Sequence, residues 1–148
     1  MRYRFEIPGE PMGKQRPKFS RQGQFVKTYT PQKTVNYETY VKERFLIEHH
    51  DYRPLEGELV VRINSYFPIP KSFSKKKKEQ AEMGMIKPTK KPDCDNIAKI
   101  VLDSLNGIAF IDDKQVVNLV VTKNYDPIPR VEVDIKEIGG SDETHIWY

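Results

Sequence analysis

The stretch Lys91–Val116, KPDCDNIAKIVLDSLNGIAFIDDKQV, carries two acidic pairs, Asp93/Asp95 and Asp112/Asp113, on either side of a helical pattern. Ile97, Ile100, Val101 and Leu105 recur at helical spacing, so one face of the segment is ready to pack on a core. Asp95 or Asn96 can cap the N-terminus and Asn106-Gly107 supplies a left-handed stop, which predicts a helix over 96–105. With Asp93-Cys94-Asp95 extended, the period-two alternation of a strand sends both carboxylates off the same side of the chain. The helix then turns the chain back so that the second acidic pair approaches the first. Three or four carboxylates converging without His or Cys companions suit a hard divalent cation such as Mg²⁺. Lys99 lies one turn beyond Asp95 on the same face, placed to serve either the carboxylates or a bound phosphate. Asp103 continues that face to the helix C-terminal end, where negative charge opposes the dipole, and reads as structural. Alone, an Asp-x-Asp is commonly a solvated loop and an Asp-Asp before a strand is commonly a turn. Their combination is far more specific.

Immediately upstream, residues 71–91 hold eight lysines against Glu79 and Glu82. Ser72 or Ser74 caps a charged, exposed helix from Lys75 to about Met85, with Lys75, Lys76, Lys77 and Lys78 in its first turn. Together with Lys90 and Lys91 these cations suit a polyanion lying against the acidic cluster, although a lysine run is as often only a solvated helix face. At the other end, Tyr3 to Ile7 alternates as a half-buried strand stopped by Pro8-Gly9. Residues 10–31 form a loop region with a hairpin turn at Arg21-Gln22-Gly23-Gln24. Lys14, Arg16, Lys18 and Arg21, interleaved with Phe19 and Phe25, read as a nucleic-acid contact surface. Gly13-Lys14 lacks both the spacing and the Ser/Thr of a nucleotide phosphate loop.

A long helix over 31–48 follows, with Thr30 as cap and an apolar stripe of Val35, Tyr37, Tyr40, Val41, Phe45 and Ile47. His49-His50-Asp51 falls where that helix ends and serves its C-terminus, not a metal. A strand over 58–69 closes at Pro68 and Pro70. Residues 116–125 and 130–137 are predicted to pair as a C-terminal antiparallel hairpin around Asp126-Pro127-Ile128-Pro129.

At 148 residues, with 37% hydrophobic and 31% charged side chains, the chain fits one soluble domain. The expected architecture is α+β: a mixed sheet covered by the helices over 31–48 and 96–105. The domain spans 1–138, and 139–148 is a tail for which disorder is the default. No apolar run approaches a membrane span, and one cysteine excludes an internal disulfide framework and a zinc cluster. Both point to a reducing cytoplasm.

The pattern D-x-D-N-x-x-K, then D-x-L, then D-D-x-Q-V resembles the signature of the RusA-type endonucleases, Holliday-junction resolvases often carried by phages and prophages. It is matched by Asp93, Asp95, Asn96, Lys99, Asp103, Leu105, Asp112, Asp113, Gln115 and Val116. GKQRPKF and YTP near the N-terminus resemble the phage-type branch of that family. The resemblance implies a homodimeric, metal-dependent nuclease that resolves four-way junctions in DNA recombination and repair, with Mg²⁺ as cofactor and Mn²⁺ as a substitute. It further implies that Asp93, Asp95 and Asp113, with Asp112 at the margin, hold the metal, that Lys99 is catalytic and that Asn96 supports them. Two other readings compete: a non-catalytic nucleic-acid-binding module, and a general flap or single-strand nuclease. The acidic set argues against the first, since negative charge beside DNA gains a binding protein nothing.

Overall fold

The computed structural model describes residues 1–139, so the tail at 140–148 lies outside the described residues. In chain order the elements are β1 (Arg2–Pro8), β2 (Lys18–Gln22), β3 (Phe25–Tyr29), α1 (Gln32–Glu48), β4 (Glu58–Phe67), α2 (Lys75–Glu82), α3 (Cys94–Leu105), β5 (Val116–Tyr125) and β6 (Arg130–Ile138). A short 3-10 turn, Asp113–Gln115, leads into β5. Four strands make a mixed sheet in the order β1-β6-β4-β5, while β2 and β3 form a separate ribbon. This is the expected α+β architecture.

Alternation decides which face of the sheet is covered. Tyr3, Phe5 and Ile7 of β1, Leu59, Val61 and Ile63 of β4, and Val131, Val133 and Ile135 of β6 all point to one side and are buried there. Against them pack Tyr37, Val41 and Phe45 of α1 and Ile97, Ile100, Val101 and Leu105 of α3. The Phe45 ring meets Tyr3 and Phe5 edge-on, at centroid distances of 5.2 and 5.5 Å. His49 stays structural as read: its ring packs on Tyr3 and Phe45, and Nε2 lies 2.8 Å from the Arg4 carbonyl. Among the described residues no helix is long and apolar enough to cross a membrane.

The two C-terminal strands are antiparallel and joined by a short connection, but they do not pair with each other. β4 lies between them, parallel to β5 and antiparallel to β6. Leu59, Val60, Val61 and Ile63 are all buried, and a strand so enclosed needs ladder partners on both edges to satisfy its backbone. Alternation and a tight turn cannot reveal an inserted third strand. Asp126 shapes the connection that steps across β4: its carboxylate accepts from the Ile128 N–H at 3.0 Å and from Arg130 Nη1 at 2.9 Å.

Smaller corrections follow from local chemistry. β4 ends at Phe67, not 69, because Pro68 has no N–H to donate. α2 stops at Glu82, with Gly84 at φ 75° just beyond it. Pro31, not Thr30, takes the N-cap position of α1, without a side-chain cap. Val35 and Ile47 stay 40% and 64% exposed, so the working stripe of α1 is narrower than read. Accordingly, Phe45→Ala should cost about 3–5 kcal/mol in urea denaturation, whereas Val35→Ala should stay within about 0.5 kcal/mol of the parent. Equal losses at the two positions would contradict this packing.

Candidate active site

α3 begins two residues earlier than the sequence suggests, and this changes the Asp-x-Asp geometry. Asp93 sits at the N-cap position with extended backbone (φ −74°, ψ 159°), while Cys94 and Asp95 are already in the first helical turn. The extended tripeptide expected there is absent. Both carboxylates are exposed, and the N-terminal end of the helix dipole favours their negative charge. Asp93 makes no side-chain capping bond, so its oxygens remain available to an external ligand.

The segment after β1 is docked onto this helix end. The Lys14 N–H donates to the Asn96 carbonyl at 3.0 Å. A Cβ on Gly13 would sit 2.8 Å from Pro92 Cβ and 2.9 Å from Asn96 Cβ, so only glycine permits this approach. A cleft of about 630 Å³ opens beside the contact, lined in part by Arg16, Lys18, Lys91, Asp93 and Asn96. Cations and a free carboxylate therefore share one cavity. Lys14 lines the same cleft, but its ammonium lies 3.2 Å from Glu38 and 3.4 Å from Asp103. Asp103 also lies 3.8 Å from Lys99, whose side chain is 60% exposed. Asp103 thus ties α3 to the docked segment through Lys14. The sequence holds no local signal for that link, because the partners are 89 positions apart in the chain, at 14 and 103.

At the far end of α3 the two neighbouring aspartates part ways. The Asp112 carboxylate accepts the Lys114 N–H at 2.8 Å, and the Asp112 N–H in turn donates to Gln115 Oε1 at 2.8 Å, closing a capping box. Gln115 also donates to the Leu55 and Gly57 carbonyls, both at 2.9 Å, which pins the turn to the strand entry. Asp113 donates its N–H to Asn106 Oδ1 at 2.9 Å. Its carboxylate has no partner among the described residues.

Asp93 and Asp95 do not meet Asp113 within one chain. The 12 residues of α3 rise about 18 Å, and Asp113 is bonded to Asn106 at the end opposite Asp93. The strand alongside gives the same answer. Cys94 Sγ lies 3.9 Å from the Val121 carbonyl, five residues up β5 from Val116, or about 17 Å at strand spacing. Among the described residues, no three His, Cys, Asp or Glu side chains stand close enough to hold a metal. The convergence expected within one chain fails because the connection after α3 is held at the helix C-terminal end: the Gly107 N–H donates to the Phe110 carbonyl at 2.8 Å, and the Leu55 N–H donates to the Ala109 carbonyl at 2.9 Å. One end of α3 therefore offers two carboxylates beside a cationic cleft, and the other offers one.

The remaining basic residues divide by element. Lys75, Lys76, Lys77 and Lys78 are exposed on α2, which Ser74 caps by accepting the Lys77 N–H at 3.2 Å. Phe73 packs edge-on against Tyr125 at 5.7 Å, placing these lysines at the same end of β5 as Asp93. Lys90 is exposed beside the cleft, and Arg21 stands on the ribbon. A slightly larger cavity, about 660 Å³, opens on the uncovered sheet face, where Arg2 and Arg4 pair with Asp134. There Asp134 is partly desolvated, yet bonds from Arg2 and Arg4 hold its carboxyl below the usual range.

A helix end with free carboxylates thus stands against a cationic cleft in a small α+β domain. The pattern of the family described as Endodeoxyribonuclease RusA matches residues 8–136. The chain belongs to that family, and membership implies endodeoxyribonuclease activity. It is also 41% identical over 137 residues to a Bacillus subtilis (strain 168) protein named "Uncharacterized protein YqaN", covering 91% of this chain and 96% of the relative.

The glycine contact is directly testable. Gly13→Ala should lower stability by about 1–3 kcal/mol through overpacking against Pro92 and Asn96. Hydrogen exchange at the Lys14 amide should rise in parallel. An unperturbed Lys14 amide in that variant would contradict the docking.

Proposed function

We propose that the protein is a divalent-metal-dependent endodeoxyribonuclease that resolves four-way DNA junctions as a homodimer, with Mg²⁺ as the physiological ion. The observation that carries this reading is the division of the acidic set between the two ends of α3, beside a cleft lined by Arg16, Lys18 and Lys91. One chain supplies an incomplete ligand set, so a second copy has to complete it. β5 is suited to bring that copy in. It is the sheet's edge strand, with Val117 and Leu119 61% and 44% exposed, and nearby Ile111 is 56% exposed. β5 also runs from the Asp113 end of α3 to the Asp93 end. A two-fold axis near the middle of β5 would carry Asp113 of each copy toward Asp93 and Asp95 of the other. Two equivalent sites would result, as paired nicks across a junction require.

In this reading Arg16, Lys18 and Lys91 hold the phosphate, while the exposed Lys99 supplies positive charge to its non-bridging oxygens. Asp103 positions Lys99, and Asn96 fixes the cleft wall through Lys14. Asp112 is spent on the capping box, which leaves Asp113 as the free carboxylate of the pair. A bound divalent cation would supply charge neutralisation and an activated water. The lysines of α2, with Lys90, would contact flanking duplex, and a role on DNA fits the cytoplasm.

The test compares a labelled four-way junction with a matched linear duplex across a Mg²⁺ titration. The wild type should cut the junction only when the ion is present. Asp95→Asn should bind the junction as well as the parent or slightly better, while cleavage falls by orders of magnitude. Lys99→Ala should lose about 10²–10³-fold in single-turnover rate. Replacing Lys75–Lys78 should weaken binding and flatten its salt dependence without changing the rate at saturation. Normal cutting by Asp95→Asn would remove Asp95 from the cutting site, junction binding without any cutting by the wild type would return the protein to the class of binding modules, and equal cutting of single strands or flaps would make it a general nuclease.

A further inference from the structure

The β2–β3 ribbon has no part in the core, yet it carries costly side chains. All of its ten residues are exposed except the half-buried Ser20. Phe19 and Phe25 are 75% and 78% exposed, Val26 63% and Tyr29 47%. The register Phe19↔Thr28, Arg21↔Val26 and Gln22↔Phe25 puts the two phenyl rings on opposite faces of the ribbon, since paired residues share a face and neighbours alternate. Each face also carries cations: Arg21 accompanies Phe19, and Lys18 and Lys27 accompany Phe25. No acidic residue occurs between Glu10 and Glu38. A two-stranded ribbon is thin enough to enter a DNA groove or a gap between strands. Its root is fixed, because the chain leading into β2 is the docked segment lining the Asp93 cleft.

We propose that the β2–β3 ribbon is a wedge that stacks unpaired bases at the branch point, Phe19 on one face and Phe25 on the other, while Lys18, Arg21 and Lys27 hold the adjoining phosphates. Two rings facing opposite ways suit two bases parted from each other better than one continuous strand. The cationic, acid-free composition selects nucleic acid over a second copy of this equally basic segment. This inference rests on the branched-DNA reading above and extends it to how the branch is opened beside the cleft.

The experiment places 2-aminopurine at the branch of a four-way junction and follows its fluorescence on titration with full-length protein, without added divalent metal. The wild type should brighten the probe as the base leaves its stack. Phe19→Ala/Phe25→Ala should abolish the brightening and weaken junction binding roughly 5- to 150-fold per stacked base, with the slope of affinity against salt unchanged. Arg21→Ala/Lys27→Ala should instead flatten that slope. Phe19→Leu/Phe25→Leu keeps the apolar bulk and should also lose the brightening, which guards against a fold defect in the alanine variant. Brightening by the wild type but by neither phenylalanine variant supports the wedge even if no DNA is cut, in which case only the nuclease reading fails. Undiminished brightening and affinity in the phenylalanine variants would overturn the wedge. A fall in the protein's solution mass in those variants would also overturn it, by assigning the rings to a contact between copies.

Discussion

The rigid length of α3 governs what the rest of the molecule can do. Its inner face is packed on the sheet through Ile97, Ile100, Val101 and Leu105, all inaccessible to solvent. Its two ends are therefore held at a fixed separation of about 18 Å. The N-terminal end presents Asp93 and Asp95 with a favourable dipole, and the C-terminal end receives Asp113 through Asn106. Every functional element is placed relative to those ends. The docked basic segment and α2 lie at the first, and the capping box that orients Asp113 lies at the second. β5 connects the two with an exposed apolar edge.

The sheet order serves the same arrangement. Insertion of β4 between β5 and β6 leaves β5 at the edge of the sheet, with Val117 and Leu119 exposed. Gly13 makes a smaller contribution of the same kind. Its missing Cβ lets the Lys14 backbone meet Asn96, which roots the ribbon at the cleft and brings Arg16 and Lys18 to Asp93.

Periodicity made much of this legible. The alternation in β1, β4 and β6 and the apolar face of α3 point directly to the sheet, its covered side and the α+β class. The family match over residues 8–136 accords with the motif from Asp93 to Val116. What stayed hidden depends on contacts between distant positions. Strand order is one case, because a four-residue turn reads as a hairpin whether or not a third strand intervenes. The Lys14–Asp103 bridge is another, since nothing near Lys14 distinguishes a cation bound for phosphate from one committed to Glu38 and Asp103. The separation of the carboxylates within one chain is hidden for a related reason: spacing gives the length of a helix but not the path that the chain takes after it. Asp112 and Asp113 are alike in sequence and separate only once the capping box claims the first.

The central claim is that each site draws Asp95 from one chain and Asp113 from another. It is tested most directly by mixing two inactive proteins, Asp95→Asn and Asp113→Asn, under conditions that let subunits exchange, and measuring nicking of a junction with Mg²⁺. If sites are shared, each mixed dimer holds one intact site and one doubly defective site. Nicking should then recover to about one quarter of the wild-type level, because half of the dimers are mixed and half of their sites are whole. If all the carboxylates act within a single chain, every site in the mixture carries one substitution, and the mixture will stay as inactive as either protein alone.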